Sequence, residues 1–108
     1  MPNDHAIDRL FATIVARKTA DAASSYTAKL LKDGVERCAK KFGEEAVEAA
    51  IAAVSGKKDA TIAESADVLY HLLVLWAACG IKPEDVYEAL AAREGRSGLE
   101  EKASRKAP

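Results

Sequence analysis

The sequence contains few of the residues that break helices or favour strands. Its 108 residues include three prolines and six glycines, and aromatic side chains make up only 6%. Long Ala- and Leu-containing stretches without such residues favour packed helices over strands. A chain of this length usually forms one domain around one hydrophobic core. We therefore expect a single all-α domain over residues 1–94, followed by a polar, disordered tail over residues 95–108.

Cysteine and uncompensated charge are also scarce. Cys38 and Cys79 are the only cysteines, and neither has another Cys or a His at the spacing of a zinc site. Both lie in apolar helical contexts, which favours buried free thiols over a disulfide. The formal net charge is −1, so the chain lacks the electrostatic signature of a nucleic-acid-binding protein.

Long hydrophobic runs are missing as well. The longest apolar run, around residues 68–79, is interrupted by His71 and is shorter than a bilayer-spanning helix. Residues 1–8 are polar and do not resemble the apolar stretch of a signal peptide. We therefore expect a cytoplasmic protein without a membrane partner.

Two short helices are predicted in the first third of the chain. Apolar residues repeat every three or four positions at Ile7, Leu10, Phe11, Ile14 and Val15. This spacing is typical of an amphipathic helix. Residues 17–25 are small and polar and are expected to form a loop. A second helix is expected over residues 26–33, with Ser24 or Ser25 as its N-cap and Gly34 at its end.

Two long helices are predicted at the centre of the chain, over about residues 35–54 and about residues 60–79. They are separated by a turn that contains Gly56. The second half of the later helix is apolar nearly all round, which is typical of a helix at the centre of a structure or in an interface. Pro83 is suited to the first turn of a last helix, over about residues 83–93.

The two central helices carry acidic pairs. Glu45 and Glu48 lie about 60° apart around the first helix, and Glu64 and Asp67 have the same spacing on the second. Each pair lies on a stripe that continues with apolar residues, so we expect the acids to face the packed side. Two facing pairs would bring four carboxylates within a few ångströms. Like charges about 4 Å apart repel by roughly 4 kcal/mol at an effective dielectric near 20.

Such a carboxylate cluster is stable when it takes up protons or binds cations. Ligand sets made of carboxylate oxygens suit Mg²⁺ or Mn²⁺ better than zinc. Glutamates three residues apart on bundle helices are one way of building these sites. The alternative is that the acids are ordinary solvated side chains that pair with a lysine one turn away, such as Lys41 with Glu45. The spacing alone leaves both interpretations open.

Three segments resemble a known enzyme family. KKFGEEAVEAAIAA (residues 40–53) followed by ESADVLYHLLVL (residues 64–75) resembles the phosphoribosyl-ATP pyrophosphohydrolases of histidine biosynthesis. These belong to the MazG-like all-α nucleotide pyrophosphohydrolases. SYTAKLLKDG (residues 25–34) is similar to the histidine-pathway branch rather than to the general group. The resemblance implies a MazG-like bundle of four to five helices that is completed by dimerisation.

The resemblance also implies a catalytic metal site. The metal ligands of the family, which are also catalytic residues, match Glu45, Glu48, Glu64 and Asp67. The cofactor would be Mg²⁺, with Mn²⁺ as an alternative. Glu44 lies about 100° from Glu45 around the helix. It would therefore have a lesser catalytic role, supporting the ligands or orienting water.

Five further residues are candidates for binding the substrate. Ser25, Tyr26 and Lys29 match the branch-specific segment. Lys41 lies one turn before the first metal ligand and is placed to meet a phosphate. His71 matches the family's YH pair, and it either serves the site or is a buried, hydrogen-bonded histidine.

The implied reaction is hydrolysis of phosphoribosyl-ATP to phosphoribosyl-AMP and pyrophosphate, the second step of histidine biosynthesis. Bound ions would neutralise both carboxylates and triphosphate, polarise the phosphoryl oxygens and stabilise the leaving pyrophosphate. A carboxylate not fully used as a ligand would act as general base.

Two alternatives to this reaction remain open from the sequence. One is a MazG-like house-cleaning enzyme that hydrolyses other nucleoside triphosphates. The other is a non-enzymatic helical dimerisation module.

A homodimer is expected because the apolar central helix needs more covering than a few small helices supply.

Overall fold

The computed structural model describes residues 5–94, and within that range it contains five α-helices and no strand. The helices are α1 (Ala6–Ala16), α2 (Tyr26–Asp33), α3 (Val35–Val54), α4 (Lys58–Cys79) and α5 (Pro83–Ala91). The predicted all-α class and the number of helices are confirmed. The predicted tail over residues 95–108 lies outside the described residues, so the domain boundary at residue 94 stays a prediction.

Helix ends marked by capping residues were predicted correctly. The Ser25 hydroxyl caps α2 by accepting a hydrogen bond from the backbone N–H of Ala28 at 3.1 Å. Gly34 separates α2 from α3 with φ of 98°, and Gly80 ends α4 with φ of 74°. Residues with a side chain rarely adopt such positive φ values, which explains glycine at both positions.

Three helix boundaries differ from the prediction. The expected loop over residues 17–25 begins with a 3₁₀ turn, Arg17–Thr19, which tightens the end of α1. Helix α4 begins at Lys58 rather than near residue 60, and its first turn holds Asp59, whose charge suits a helix N-terminus. Helix α5 ends at Ala91 rather than near residue 93. The backbone N–H groups of Arg93 and Glu94 bond to carbonyls three residues earlier, so the four-residue pattern of an α-helix does not continue.

The hydrophobic core lies where α1, α2 and α3 pack against α4. Its largest fully buried side chains are Ile14, Leu30, Cys38, Leu73 and Val74. Helices α3 and α4 are joined by a short turn and pack along each other more extensively than any other pair of elements. They form a helical hairpin, on which α1 and α2 lie.

The two cysteines differ in burial, so the prediction that both are buried is wrong for Cys79. Cys38 is buried, and its thiol donates a hydrogen bond to the carbonyl of Leu30 at 3.3 Å. Burial raises the pKa of the Cys38 thiol. Cys79 is exposed because it is the last residue of α4 and lies on the side of that helix opposite to Val74 and Ala77.

Helix α4 is slightly longer than predicted. It has 22 residues and a window of mean hydropathy 1.4, so by length and composition alone it could cross a membrane. The apolar run over residues 68–79 forms only its second half, and the first half carries charged residues such as Asp59, Glu64 and Asp67. Only 22% of that apolar window is buried inside the described chain. Much of the apolar surface of α4 is therefore exposed in the single chain.

Candidate active site

The α3–α4 hairpin determines how the acidic residues face each other. Gly56 lies in the turn between the two helices, eight residues from Glu48 (56 − 48) and eight from Glu64 (64 − 56). Glu45 and Asp67 are each eleven residues from Gly56 (56 − 45 and 67 − 56). In an antiparallel helix pair, residues equally far from the turn lie at similar heights. The hairpin therefore brings the two acidic pairs opposite each other.

Three of the four predicted metal ligands come together in the structure. Glu45, Glu48 and Glu64 each contribute a carboxylate oxygen, and these oxygens lie within 4.8 Å of one another. We call these three residues the acidic cluster. Glu45 and Glu64 are half-buried, whereas Glu48 is exposed. Asp67 is exposed and is not one of the three, but its charge helps to raise the pKa of Glu64.

Glu64 is the member of the acidic cluster with the least favourable surroundings. Its Oε1 atom is buried and has no hydrogen-bond partner among the described residues. Burial raises the pKa of the Glu64 carboxyl above its usual value of 4.5. The charges of Glu48, Glu45 and Asp67 raise it further. A buried carboxylate oxygen without a partner is unfavourable. A divalent cation that prefers oxygen ligands, such as Mg²⁺, fits this donor set.

Lys41 pairs with Glu44 rather than with Glu45, the partner expected of a solvated helix pair. The Lys41 ammonium donates to Glu44 Oε1 at 3.2 Å. This hydrogen bond lowers the pKa of Glu44, and the charges of Lys41, Lys40 and Arg37 add to the effect. Glu44 is exposed and lies outside the acidic cluster, so its predicted supporting role stays a prediction.

His71 uses both of its ring nitrogens within the chain. His71 Nδ1 bonds to the backbone carbonyl of Asp67 at 2.8 Å, and Nε2 bonds to the Tyr26 hydroxyl at 3.2 Å. A carbonyl oxygen only accepts hydrogen bonds, so Nδ1 carries the hydrogen. In the neutral ring, Nε2 therefore accepts the hydrogen bond from Tyr26. His71 is thus buried and hydrogen-bonded, and its predicted role in substrate binding stays a prediction.

The predicted substrate-binding residues of α2 have different surroundings. Ser25 is buried and its hydroxyl caps α2. Tyr26 is 51% exposed. Lys29 lies on the exposed side of α2, where its ammonium pairs with Asp33 at 3.3 Å. Tyr26 and Lys29 are thus accessible to a substrate, and the substrate contacts of all three residues stay predictions.

Thr27 and Tyr70 were not predicted to take part in this region. Their hydroxyl groups are hydrogen-bonded to each other and join α2 to α4. Burial raises the pKa of the Tyr70 hydroxyl. The Tyr70 ring also meets His71 edge-on, with centroids 4.9 Å apart. One feature of the sequence could have indicated them. Tyr70 and His71 are polar residues within an apolar run, and buried polar side chains need hydrogen-bond partners.

A cavity of about 420 Å³ lies away from the acidic cluster. It is formed by α1, the end of α4 and the start of α5, and its walls include Phe11, Val15 and Pro83. None of the predicted site residues lines this cavity. The acidic cluster lies instead on the α3–α4 hairpin, where Glu48 is exposed.

Comparison with known proteins identifies the family. Residues 7–94 match the sequence model of the family described as phosphoribosyl-ATP pyrophosphohydrolase. The chain belongs to this family. The match covers both helices of the hairpin and the segment over residues 25–34, and it confirms the resemblance drawn from them. The protein is therefore an enzyme, a hydrolase acting on a phosphoanhydride, which decides against a non-enzymatic dimerisation module.

Several relatives named phosphoribosyl-ATP pyrophosphatase are similar over most of their length. The protein of Parvibaculum lavamentivorans is 65% identical, over 92% of this chain and 91% of the relative. That of Roseobacter denitrificans is 60% identical, over 94% and 98%. That of Azospirillum brasilense is 58% identical, over 93% and 90%. The similarity thus extends over nearly the whole of each of these proteins.

Proposed function

We propose that this enzyme hydrolyses phosphoribosyl-ATP to phosphoribosyl-AMP and pyrophosphate, the second step of histidine biosynthesis. The observation that carries the proposal is the acidic cluster, in which Glu64 has a buried carboxylate oxygen without a described partner. A bound cation would stabilise such an oxygen. A polyphosphate is the kind of substrate that binds beside carboxylates when a cation is shared between them. The names of the relatives point to the same substrate.

Glu45, Glu48 and Glu64 would hold Mg²⁺, with Mn²⁺ as an alternative. Asp67, whose charge contributes to the raised pKa of Glu64, would be the fourth ligand. When bound, the ion supplies positive charge that polarises the phosphoryl oxygens and stabilises the leaving pyrophosphate. A carboxylate not fully used as a ligand accepts the proton of the attacking water.

Lys41 provides a cation for the phosphates of the substrate. It lies four residues before Glu45, which is about 6 Å along the helix axis. Its ammonium pairs with the exposed Glu44 in the free enzyme. Because exposed ion pairs contribute little free energy, the ammonium exchanges readily to a phosphate oxygen. Glu44 is then released to accept a hydrogen bond from water. Lys29, also exposed, offers a second cation on α2.

We also propose that the enzyme is a homodimer in the cytoplasm. Helix α3 exposes an apolar stripe of Val47, Ile51 and Val54, of which Ile51 is 60% and Val54 90% exposed. Helix α4 adds Ile62 and Leu69. An isologous contact between two copies would cover these surfaces. A lipid bilayer would cover these apolar surfaces less favourably, because burying the acidic residues of α4 in hydrocarbon would cost free energy.

The test is an assay of pyrophosphate release by the purified protein with Mg²⁺, comparing phosphoribosyl-ATP with ordinary nucleoside triphosphates. We expect Mg²⁺-dependent release and a clear preference for phosphoribosyl-ATP. A preference for ordinary triphosphates would indicate a MazG-like house-cleaning enzyme instead. Absence of release from all of these substrates would overturn the proposed reaction.

A further inference from the structure

Two hydrogen bonds fasten the start of α2 to the middle of α4. One joins the Tyr26 hydroxyl to His71, and the other joins the hydroxyls of Thr27 and Tyr70. His71 is 7% and Thr27 9% exposed, so each bond has one end shielded from competing water. The first turn of α2 is therefore held in a fixed position relative to α4.

The Tyr26 ring is held from two sides and is still accessible. Its centroid lies 6.4 Å from that of Tyr70, with the ring planes 23° apart, as in an offset stack. It lies 5.9 Å from the His71 ring, which it meets edge-on. Half of the Tyr26 side chain nevertheless stays exposed. A residue that only filled the core would be buried, so the fixed orientation serves the exposed part of the ring.

The Tyr26 ring lies at one end of the candidate active site. The hydrogen bond to Glu44 is the main reason that the pKa of Lys41 is raised, and the nearby Tyr26 hydroxyl contributes after it. Lys41 and His71 are each fifteen residues from Gly56 (56 − 41 and 71 − 56), so they lie at similar heights on the facing helices. The acidic cluster lies closer to the turn. An exposed aromatic ring and a lysine thus lie at one level of the hairpin, and the acidic cluster lies nearer to the turn.

We propose that Tyr26 is the stacking surface for the purine base of the substrate, and that His71 is a positioning residue that holds Tyr26. This inference rests on the proposed function. The ring would take the base at the level of Lys41, and the polyphosphate would extend from Lys41 towards the acidic cluster. Aromatic side chains bind bases by stacking, and His71 fixes the ring by accepting the hydrogen bond of its hydroxyl.

The test is a double-mutant cycle on Tyr26→Phe and His71→Phe, with kcat and KM measured for phosphoribosyl-ATP. Tyr26→Phe keeps the ring and removes the hydroxyl, and His71→Phe removes the acceptor. Each single variant should raise KM about threefold to tenfold and leave kcat within about twofold of the wild-type value. The KM of the double variant should not exceed that of the single variant with the higher KM. Tyr26→Ala removes the stacking surface and should raise KM by at least about tenfold.

Three controls separate positioning from a general loss of structure. Tyr87→Phe removes another partly buried hydroxyl, which donates to Asp8 at 3.0 Å, and it should leave KM unchanged. His71→Gln offers an amide oxygen as acceptor and should restore KM towards the wild-type value. Because His71 is buried, its variants also lose stability, whereas Tyr26→Phe tests the same bond at an exposed position. Additive effects in the double variant, or a loss of kcat at unchanged KM, would overturn the inference.

A binding measurement without turnover separates this inference from the proposed function. Adenosine 5′-monophosphate is titrated into the wild-type protein and into Tyr26→Ala, and proton NMR spectra are recorded. Stacking should shift the adenine and Tyr26 ring protons upfield in the wild type, and the adenine shift should be lost in the variant. If the shifts occur without pyrophosphate release, the inference stands and the proposed reaction fails. If an active enzyme shows no shifts, the inference is overturned and the reaction stands.

Discussion

Glu48 and Glu64 lie opposite each other across the α3–α4 hairpin, and each brings a carboxylate oxygen within 4.8 Å of the other. Their positions, eight residues on either side of Gly56, account for this meeting. Without a cation, burial and then the repulsion between the two charges make Glu64 hold its proton more tightly than an ordinary glutamate. The arrangement therefore lowers the stability of the metal-free chain, as binding sites often do.

Removing one carboxylate charge should abolish turnover without unfolding the protein. Glu48→Gln and Asp67→Asn each change a ligand's charge and keep its shape, and both residues are exposed. We expect kcat/KM to fall at least about 100-fold, since even residues that only support metal ligands cost up to that factor. Pyrophosphate release and far-ultraviolet circular dichroism are measured together. Glu88→Gln on α5 is the matched control, and near-wild-type release from either site variant would contradict the assignment.

Magnesium should stabilise the folded protein. A ligand that binds only the folded state adds about 2.7 kcal/mol when its concentration is 100 times its Kd. Thermal unfolding in millimolar Mg²⁺ is compared with unfolding in a chelator. We expect Tm to rise with Mg²⁺ in the wild type and in Glu88→Gln, and not in Glu64→Gln. An unchanged Tm in the wild type would indicate that the acids are merely solvated.

The raised pKa of Glu64 predicts how stability depends on pH in the absence of metal. The folded protein binds the Glu64 proton more tightly than the unfolded chain does, so this contribution is fully present below the usual pKa of 4.5. It is lost as the pH rises through the raised pKa. Urea unfolding midpoints are measured in a chelator between about pH 4 and pH 8. As the pH rises, the midpoint of the wild type should fall relative to that of Glu64→Gln. A difference between the two that does not vary with pH would contradict this account.

A charge on the apolar stripe of α3 should separate the proposed dimer. Ile51 is exposed in the single chain, so Ile51→Glu costs little there and buries a charge in an isologous interface. Sedimentation should give a mass near 23.0 kDa for the wild type, twice the 11.5 kDa of the chain, and 11.5 kDa for the variant. Leu90→Glu on α5, also exposed, should leave the mass unchanged. A wild-type protein that sediments as a monomer would refute the dimer.

The helices and the facing of the acidic pairs could be predicted because both depend on local rules. Helical periodicity predicted that Glu45 and Glu48 share one side of α3, and the turn at Gly56 set their height relative to α4. The side chains of Glu45 and Glu64 were correctly expected to be withdrawn from solvent in part. Glu48 and Asp67 are exposed, so the prediction that all four acids face the packed side is wrong for these two, and the pattern did not show that Asp67 would lie outside the cluster.

The remaining features depend on packing that no local rule specifies. The bond between Tyr26 and His71 joins residues 45 positions apart, and it exists only because α2 lies against α4. The partner of Lys41 was Glu44 rather than Glu45, because Glu45 points towards α4 and Glu44 towards solvent.

The two parts of the candidate active site differ in how much of the chain must fold to form them. The acidic cluster needs only the α3–α4 hairpin, whose closure involves a short turn and little entropy. The Tyr26–His71 pair also needs α2 to dock on α4 across 45 residues of chain. A local opening of α2 would therefore break the Tyr26–His71 pair and leave the acidic cluster in place. With the roles proposed above, such an opening would remove the selectivity for a base and keep the capacity to bind a cation.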